Sequence, residues 1–274
     1  MMAYPVWVDG KENGCLDPAD RGLAYGDGLF ETLRVEAGRV VFLDLHLARL
    51  QAGARALDIP LDSHLLLQEL LRFLTNCPAT CIAKIIVTRG SGGRGYLYSA
   101  DLSPSIILSA HPLSAYPESF QAEGIDAVLC TSRLALQPRL AGHKHLNRLE
   151  QVLLRQELAG TSADEGLVCD MQGRVVEGVF NNVFMVRLGE LLTPRIEAAG
   201  IRGVFREAVI QESAAAGAPV REDELYPDDF LAADEVFFCN SVNGVWPVKS
   251  LAGRHWAPGT VTRYWQDYWR KQLG

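Results

Sequence analysis

Hydrophobic and polar positions in the first hundred residues follow first a period of two, then a period of three to four. "PVWVDG" reads as a strand running into a turn, and "LFETLRVEAGRVVFL" as a hairpin whose strands, 29–36 and 39–43, meet at Ala37-Gly38. In "DLHLARLQAGARALD" the residues Leu47, Leu50, Ala54 and Leu57 recur at helical spacing, with Asp44 as the expected N-cap and Pro60 as the stop. "SHLLLQELLRFLTN" predicts a second amphipathic helix, and the runs "CIAKIIVT" and "SIILSA" predict strands. "HPLSAYPESF" carries two prolines and little to bury, so residues 111–118 are read as a linker.

The alternation resumes beyond it. "GIDAVLC" is a strand, and "NRLEQVLLRQELAG" a helix with Leu149, Leu153 and Leu154 on one side and Gly160 as its stop. "GLVCDMQGRVVEGV" folds as a hairpin at Gly173, and "NVFMVRLGELLTP" as a further strand pair. "GVFREAVIQESAAAGAP" is helical, "DEVFFCNSVNGVWPV" holds a buried strand, and "PGTVTRYWQDYWRKQL" is a closing helix with Pro258 in its first turn and its aromatic residues in the core. The fold class is α/β (α+β) in two domains: a small N-terminal domain at 1–110, the linker, and a larger domain at 119–274.

Composition narrows the function. The chain has 274 residues, 48% hydrophobic and 22% charged, as in an ordinary globular protein. A net charge of −7 without a basic tract argues against nucleic acid as a partner, and an anionic substrate would need local arginines. No apolar run reaches the ~20 residues that span a bilayer, so no membrane partner is expected. The start lacks a basic region followed by an apolar one, and the six cysteines are scattered. Both point to reduced thiols in the cytoplasm. Cys77 and Cys81 lack a second pair, and His143 and His145 lack further ligands at a familiar spacing, so no metal is expected.

"RGSGGRGY" contains the spacing G-x-G-x-x-G, from Gly90 to Gly95. A dinucleotide loop needs a strand before it and a helix after it. The strand is there, but "YLYSADLSPS" has no helical period, so the nucleotide reading fails. Arg89 and Arg94 remain: either they grip a carboxylate, or they point into water from a hairpin tip.

Four features carry candidate chemistry. Lys144 lies between two histidines at the edge of a helix. Glu177 ends an apolar strand before the turn Asn181-Asn182. Gly200 and Gly203 introduce a helix whose first amides suit a phosphate, and Asn240 and Ser241 follow a buried strand. A pyridoxal phosphate site needs such parts: a lysine to join the cofactor, an acid for its ring nitrogen, and a helix N-terminus for its phosphate. Each part also has an ordinary reading, as a solvated lysine, a surface glutamate or a common glycine–helix junction.

"DRGLAYGDGLFETLRV", "HLARL", "RGSGGRGY", "LAGHKHLNRLEQVLLR", "ADEGLVCDMQGRVVEGVFNNVF" and "GIRGVFRE" together resemble the fold-type IV pyridoxal-phosphate enzymes over nearly the whole chain. The resemblance implies a cofactor in the cleft between the two domains and a homodimer. It implies Lys144 as the Schiff-base lysine and Glu177 as partner of the pyridine nitrogen. Arg49, the backbone of Val204 and Phe205, and Ser241 are implied as phosphate contacts, with Asn182 in the turn after the glutamate. Tyr25, Arg89 and Arg94 are implied on the substrate side. The implied activity is cleavage of 4-amino-4-deoxychorismate to 4-aminobenzoate and pyruvate. The alternatives are D-amino-acid or branched-chain aminotransfer, and cofactor binding without catalysis. Phe205 stands where aminotransferases of the class often have threonine.

Overall fold

Strict alternation in the first strands puts one face of a sheet into a core. This is seen in the computed structural model, which describes residues 4–93 and 95–274. The chain divides into two units. The first comprises Met1–Ser114, His143–Asn147 and Gly274. Its elements are β1 (Val6–Val8), β2 (Lys11–Glu12), α1 (Arg21–Tyr25), β3 (Gly28–Glu36), β4 (Arg39–Val40), α2 (Leu43–Ala56), α3 (Ser63–Leu74), β5 (Cys81–Thr88) and β6 (Ser105–His111). The described strands form an antiparallel sheet in the order β2-β1-β6-β5-β3-β4. Leu29, Leu33 and Val35 of β3 and Cys81, Ala83, Ile85 and Val87 of β5 point inward, against Leu50 and Ala54 of α2 and Leu66, Leu70 and Phe73 of α3.

Two local expectations change here. The second hairpin strand ends at Val40, and α2 begins at Leu43 with Asp44 already in its first turn. Phe42, at φ 56°, supplies the reversal between them, and no side chain caps the helix. By contrast α3 is capped by Asp62, whose carboxylate accepts from the amides of His64 and Leu65.

The second unit comprises Ala115–Gly142 and Arg148–Leu273. Its elements are α4 (Ser119–Ala122), β7 (Ile125–Leu134), α5 (Leu149–Ala159), β8 (Glu165–Asp170), β9 (Val175–Gly178), β10 (Asn182–Arg187), β11 (Glu190–Pro194), α6 (Val204–Ala215), β12 (Arg221–Asp223), α7 (Pro227–Leu231), β13 (Glu235–Asn240), β14 (Gly244–Leu251), β15 (Arg254–His255) and α8 (Thr260–Leu273). Its described strands run in the order β12-β11-β10-β13-β14-β7-β8-β9, with β15 beside β14. The sheet is mixed: β7 is parallel to both β8 and β14, and β12 to β11. Strands β8 and β9 are buried along their whole length, and Glu165 and Glu177 are buried with them.

The face of α5 also differs from expectation. Leu154 and Leu158 are its buried positions, while Leu149, Val152 and Leu153 are exposed. The closing helix starts at Thr260, after Pro258, because the Glu235 carboxylate of β13 takes up the amides of Val261 and Thr262 and the Thr262 hydroxyl. Its Trp265 and Trp269 are buried. Among the described residues, no helix is long and apolar enough to cross a membrane.

Candidate active site

The first unit holds Lys144 by its backbone. The Phe30 amide donates to the Lys144 carbonyl at 2.9 Å, the Leu146 amide to the Gly28 carbonyl at 2.9 Å, and Leu29 and His145 form an antiparallel bridge. The Asn147 side-chain amide adds a bond to the Gly26 carbonyl at 3.0 Å. Lys144 thus lies on a short stretch laid along β3, and α5 begins only at Leu149. The Lys144 ammonium stands 4.4 Å from the centre of the Phe30 ring, an attractive contact for a cation.

Beneath this stretch is a buried ionic cluster. Glu31 points inward in phase with Leu29, Leu33 and Val35. His46 Nδ1 lies 2.6 Å from Glu31 Oε2, and Arg49 donates through Nε and Nη2 to the two carboxylate oxygens at 2.8 and 2.5 Å. Burial acts to raise the Glu31 pKa, but the Arg49 charge and the bonds from His46 and Arg49 outweigh it and hold Glu31 at about 2. His46 is pushed below its ordinary value by burial, against the pull of Glu31, with the charges of Arg49 and Lys144 pushing the same way as burial. The imidazole is therefore neutral near pH 7, with Nδ1–H donating to Glu31. Arg49 is thereby oriented by Glu31.

The glycine loop has a structural explanation of its own. Asp20 caps α1, accepts the Thr88 hydroxyl at 2.6 Å, and bridges to Ser91. Arg21 donates to Asp27 and to the carbonyls of Gly95 and Tyr96. Among the described residues no helix lies between β5 and β6, and the loop is tied instead to the 20–27 segment.

Arg89 departs from the expectation that it meets a substrate. It is 4% exposed. Its guanidinium is bonded to both Asp27 oxygens and to the carbonyls of Leu57 and Asp58, and stacks 3.7 Å over the Tyr98 ring. Buried and committed to protein partners, it is a structural hub. Arg94 lies outside the described residues. Tyr25 is 40% exposed, next to the Tyr96 ring at 5.6 Å and under the Arg21 guanidinium at 4.9 Å.

In the second unit Glu177, Asn182 and the loop before α6 come together. The Ile201 amide donates to Glu177 Oε2 at 2.8 Å, and Asn182 Nδ2 donates to the Ile201 carbonyl at 2.9 Å. Gly142 pairs with the same loop from the other side. Two glycines are required for this approach. A Cβ at Gly200, whose φ is +82°, would lie 2.4 Å from Val176 Cγ1, and one at Gly203 would lie 1.9 Å from Asn182 Oδ1. Asn182 is thus a support for the loop. Gly203 is the N-cap of α6, so the first-turn amides, Val204 and Phe205 among them, face outward from the helix end. The Phe205 side chain is fully buried, edge-on to Trp269 at 5.3 Å, so only its backbone can serve a ligand.

Ser241 is in the turn after β13. That turn is held by Asn240, whose Oδ1 accepts from the amides of Val242 and Asn243 at 2.9 and 2.7 Å. Asn240 Nδ2 donates to Asn181 Oδ1 at 2.7 Å, and Asn181 Nδ2 donates to the buried Glu165. Burial raises Glu165 to about 7, opposed by bonds from Asn181 and the amides of Gly166, Val179 and Phe180.

Glu31, His46, Asp27, Arg21 and Glu165 are hydrogen-bonded ionisable groups that the sequence reading does not single out. The signal is an acid in phase with the inward Leu29, Leu33 and Val35 for Glu31, and an acid opening a strand buried throughout for Glu165. The donor types of the second unit suit a phosphate ester bonded to a protonated ring: outward amides at a helix N-terminus, the hydroxyl of Ser241, and a carboxylate fixed by a backbone amide.

Residues 28–251 match the family described as Amino-transferase class IV. The chain is 48% identical to 4-amino-4-deoxychorismate lyase from Pseudomonas aeruginosa, whose crystal structure it matches with a TM-score of 0.94 over 97% of this chain and 98% of that one. It is 33% identical to aminodeoxychorismate lyase from Vibrio harveyi over 90% of this chain and 91% of the relative. To D-alanine aminotransferase from Bacillus licheniformis it is 30% identical over 90% and 88%. With a site of this chemistry and a match of this extent, the chain belongs to the class IV aminotransferase family.

Proposed function

We propose that this protein is a pyridoxal-phosphate-dependent lyase that converts 4-amino-4-deoxychorismate to 4-aminobenzoate and pyruvate. What carries the reading is the 48% identity to a 4-amino-4-deoxychorismate lyase over 97% of the chain, against 30% for the aminotransferase named above. Phe205 favours the same reading, since its buried ring stands where the aminotransferases often present a hydroxyl.

When bound, pyridoxal phosphate supplies an electron sink for the carbon that bears the substrate amine. Lys144 would hold the cofactor, and its amine is the base that would take the proton from that ring carbon. Lys144 then delivers a proton to the enolpyruvyl methylene, so that the C–O bond breaks, pyruvate leaves, and the remaining ring becomes aromatic. The step is redox-neutral. Glu177, fixed by the Ile201 amide, keeps the ring nitrogen protonated. The amides of Val204 and Phe205, Arg49 and the Ser241 hydroxyl are the groups that would hold the phosphate, and Asn182 keeps the amide loop in place. Arg94 serves a substrate carboxylate, and Tyr25 binds on the substrate side. The protein works as a homodimer in the cytoplasm. The exposed Leu149, Val152 and Leu153 on α5 and six cysteines without a disulfide are compatible with both.

The test is product analysis with the cofactor-loaded protein and substrate made in place by its synthase. Pyruvate and 4-aminobenzoate in equal amounts, both lost in Lys144→Ala, are expected. No pyruvate above the synthase-only control rejects the lyase, and exchange between amino and keto acids would then mark an aminotransferase.

A further inference from the structure

Glu165 opens β8, has no exposed surface, and receives only N–H groups. Oε1 accepts the amides of Gly166 and Val179 at 2.8 and 2.9 Å, and Oε2 accepts Asn181 Nδ2. The next two links run one way. Asn181 Oδ1 accepts from Asn240 Nδ2, and Asn240 Oδ1 accepts from the amides of Val242 and Asn243. A primary amide has one donor end and one acceptor end, so each link constrains the next. If the group at position 165 offered a donor, Asn181 would have to turn over. Its donor end would then face the donor end of Asn240. Turning Asn240 as well would set an N–H₂ against two backbone N–H groups.

We propose that Glu165 is a positioning residue: by accepting at both oxygens it fixes the orientation of the Asn181 and Asn240 amides, and through them holds the 241–243 turn in the form that presents Ser241 to a phosphate ester. The part concerning phosphate rests on the functional reading above; the relay itself does not. The relay joins β8 to two loops remote from it in sequence, the turn after Glu177 and the turn that carries Ser241. A carboxylate is suited to its head because it alone among the side chains of this size accepts at both ends. The group acts on ligand binding without touching the ligand.

The relay makes a prediction specific to polarity. Glu165→Gln keeps volume and one acceptor but places a donor opposite Asn181. Adding Asn181→Asp restores the match, because the introduced carboxylate accepts from the new side-chain amide at position 165 with one oxygen and from Asn240 with the other. Hydrogen exchange of the peptide containing Val242 and Asn243 should be measured on the holoenzyme at alkaline pH, where Glu165 is ionised. Glu165→Gln is expected to speed exchange there about tenfold, the scale of one or two lost hydrogen bonds. Glu165→Gln with Asn181→Asp is expected to return it towards the parent rate. Unchanged exchange in the single variant, or equally fast exchange in both, overturns the proposal.

A binding titration of the apoprotein separates the second part. Pyridoxal phosphate should bind Glu165→Gln about tenfold more weakly, whereas pyridoxal, which lacks the phosphate, should bind parent and variant alike. Equal losses for both ligands overturn the link to the phosphate. If Ser241→Ala leaves pyridoxal phosphate affinity unchanged, the assignment of Ser241 fails, and the exchange result alone decides the relay.

Discussion

Glu31, His46 and Arg49 form a buried set in which one carboxylate serves two nitrogen partners. Held at about 2 against an ordinary 4.5, Glu31 contributes stability that is present above about 4.5 and is lost as pH falls through about 2. His46 acts in the same direction at higher pH. It stays neutral while an unfolded chain takes up a proton, so stability begins to fall as pH drops below 6.5. Glu31→Gln should therefore lower the urea-unfolding stability at neutral pH by about 3–5 kcal/mol, the cost of breaking a buried pair. It should also flatten the loss between pH 4.5 and 2. A variant with the parent's full acid dependence in that window would assign it to other carboxylates.

Helix α6 turns free amides outward at its first turn while its side faces the core. Phe205 offers a ligand only its amide, because its ring is packed against Trp269 of α8. Phe205→Thr adds the hydroxyl found in aminotransferases of the class, but it empties part of that core. It should lower stability by about 3 kcal/mol, read as a drop in melting temperature, with no gain in pyridoxal phosphate affinity. Tighter binding in the variant would count against the backbone-only role.

The elements themselves are largely legible in the sequence. β5 can be read residue for residue, since "CIAKIIVT" is a β-branched run. Where local cues mislead, a distant group has taken over. Asp44 has the chemistry of a cap, but the backbone of Phe42 at positive φ starts α2. Pro258 has the chemistry of a helix start, but the carboxylate that caps α8 comes from Glu235 on β13. For α5, three leucines at helical spacing suggest one face, and only the tertiary packing shows that Leu154 and Leu158 are the buried pair. The site follows the same rule. Lys144 and Glu177 can be named from motifs, whereas the buried acids Glu31 and Glu165 become visible only when strand phase is known. Arg89 in a glycine loop resembles a ligand contact until its bonds to Asp27, Leu57 and Asp58 are seen.

At the scale of the whole molecule, a homodimer should sediment at twice the 30.1 kDa of the chain. A single species at the monomer mass across micromolar concentrations would rule that assembly out and leave the apolar positions of α5 without a partner. The division of the chain bears on another question. Residues 143–147 belong with β3, although the sequence on both sides of them belongs to the second unit. The lysine and its seat, the Phe30 amide and the Gly28 carbonyl, are thus encoded far apart in the chain. A chimaera that exchanged residues 4–114 between two relatives would pair one parent's β3 with the other parent's lysine stretch. Recombination would have to carry the short 143–147 insert along with the small unit, so the two units are not inherited, or engineered, as independent cassettes.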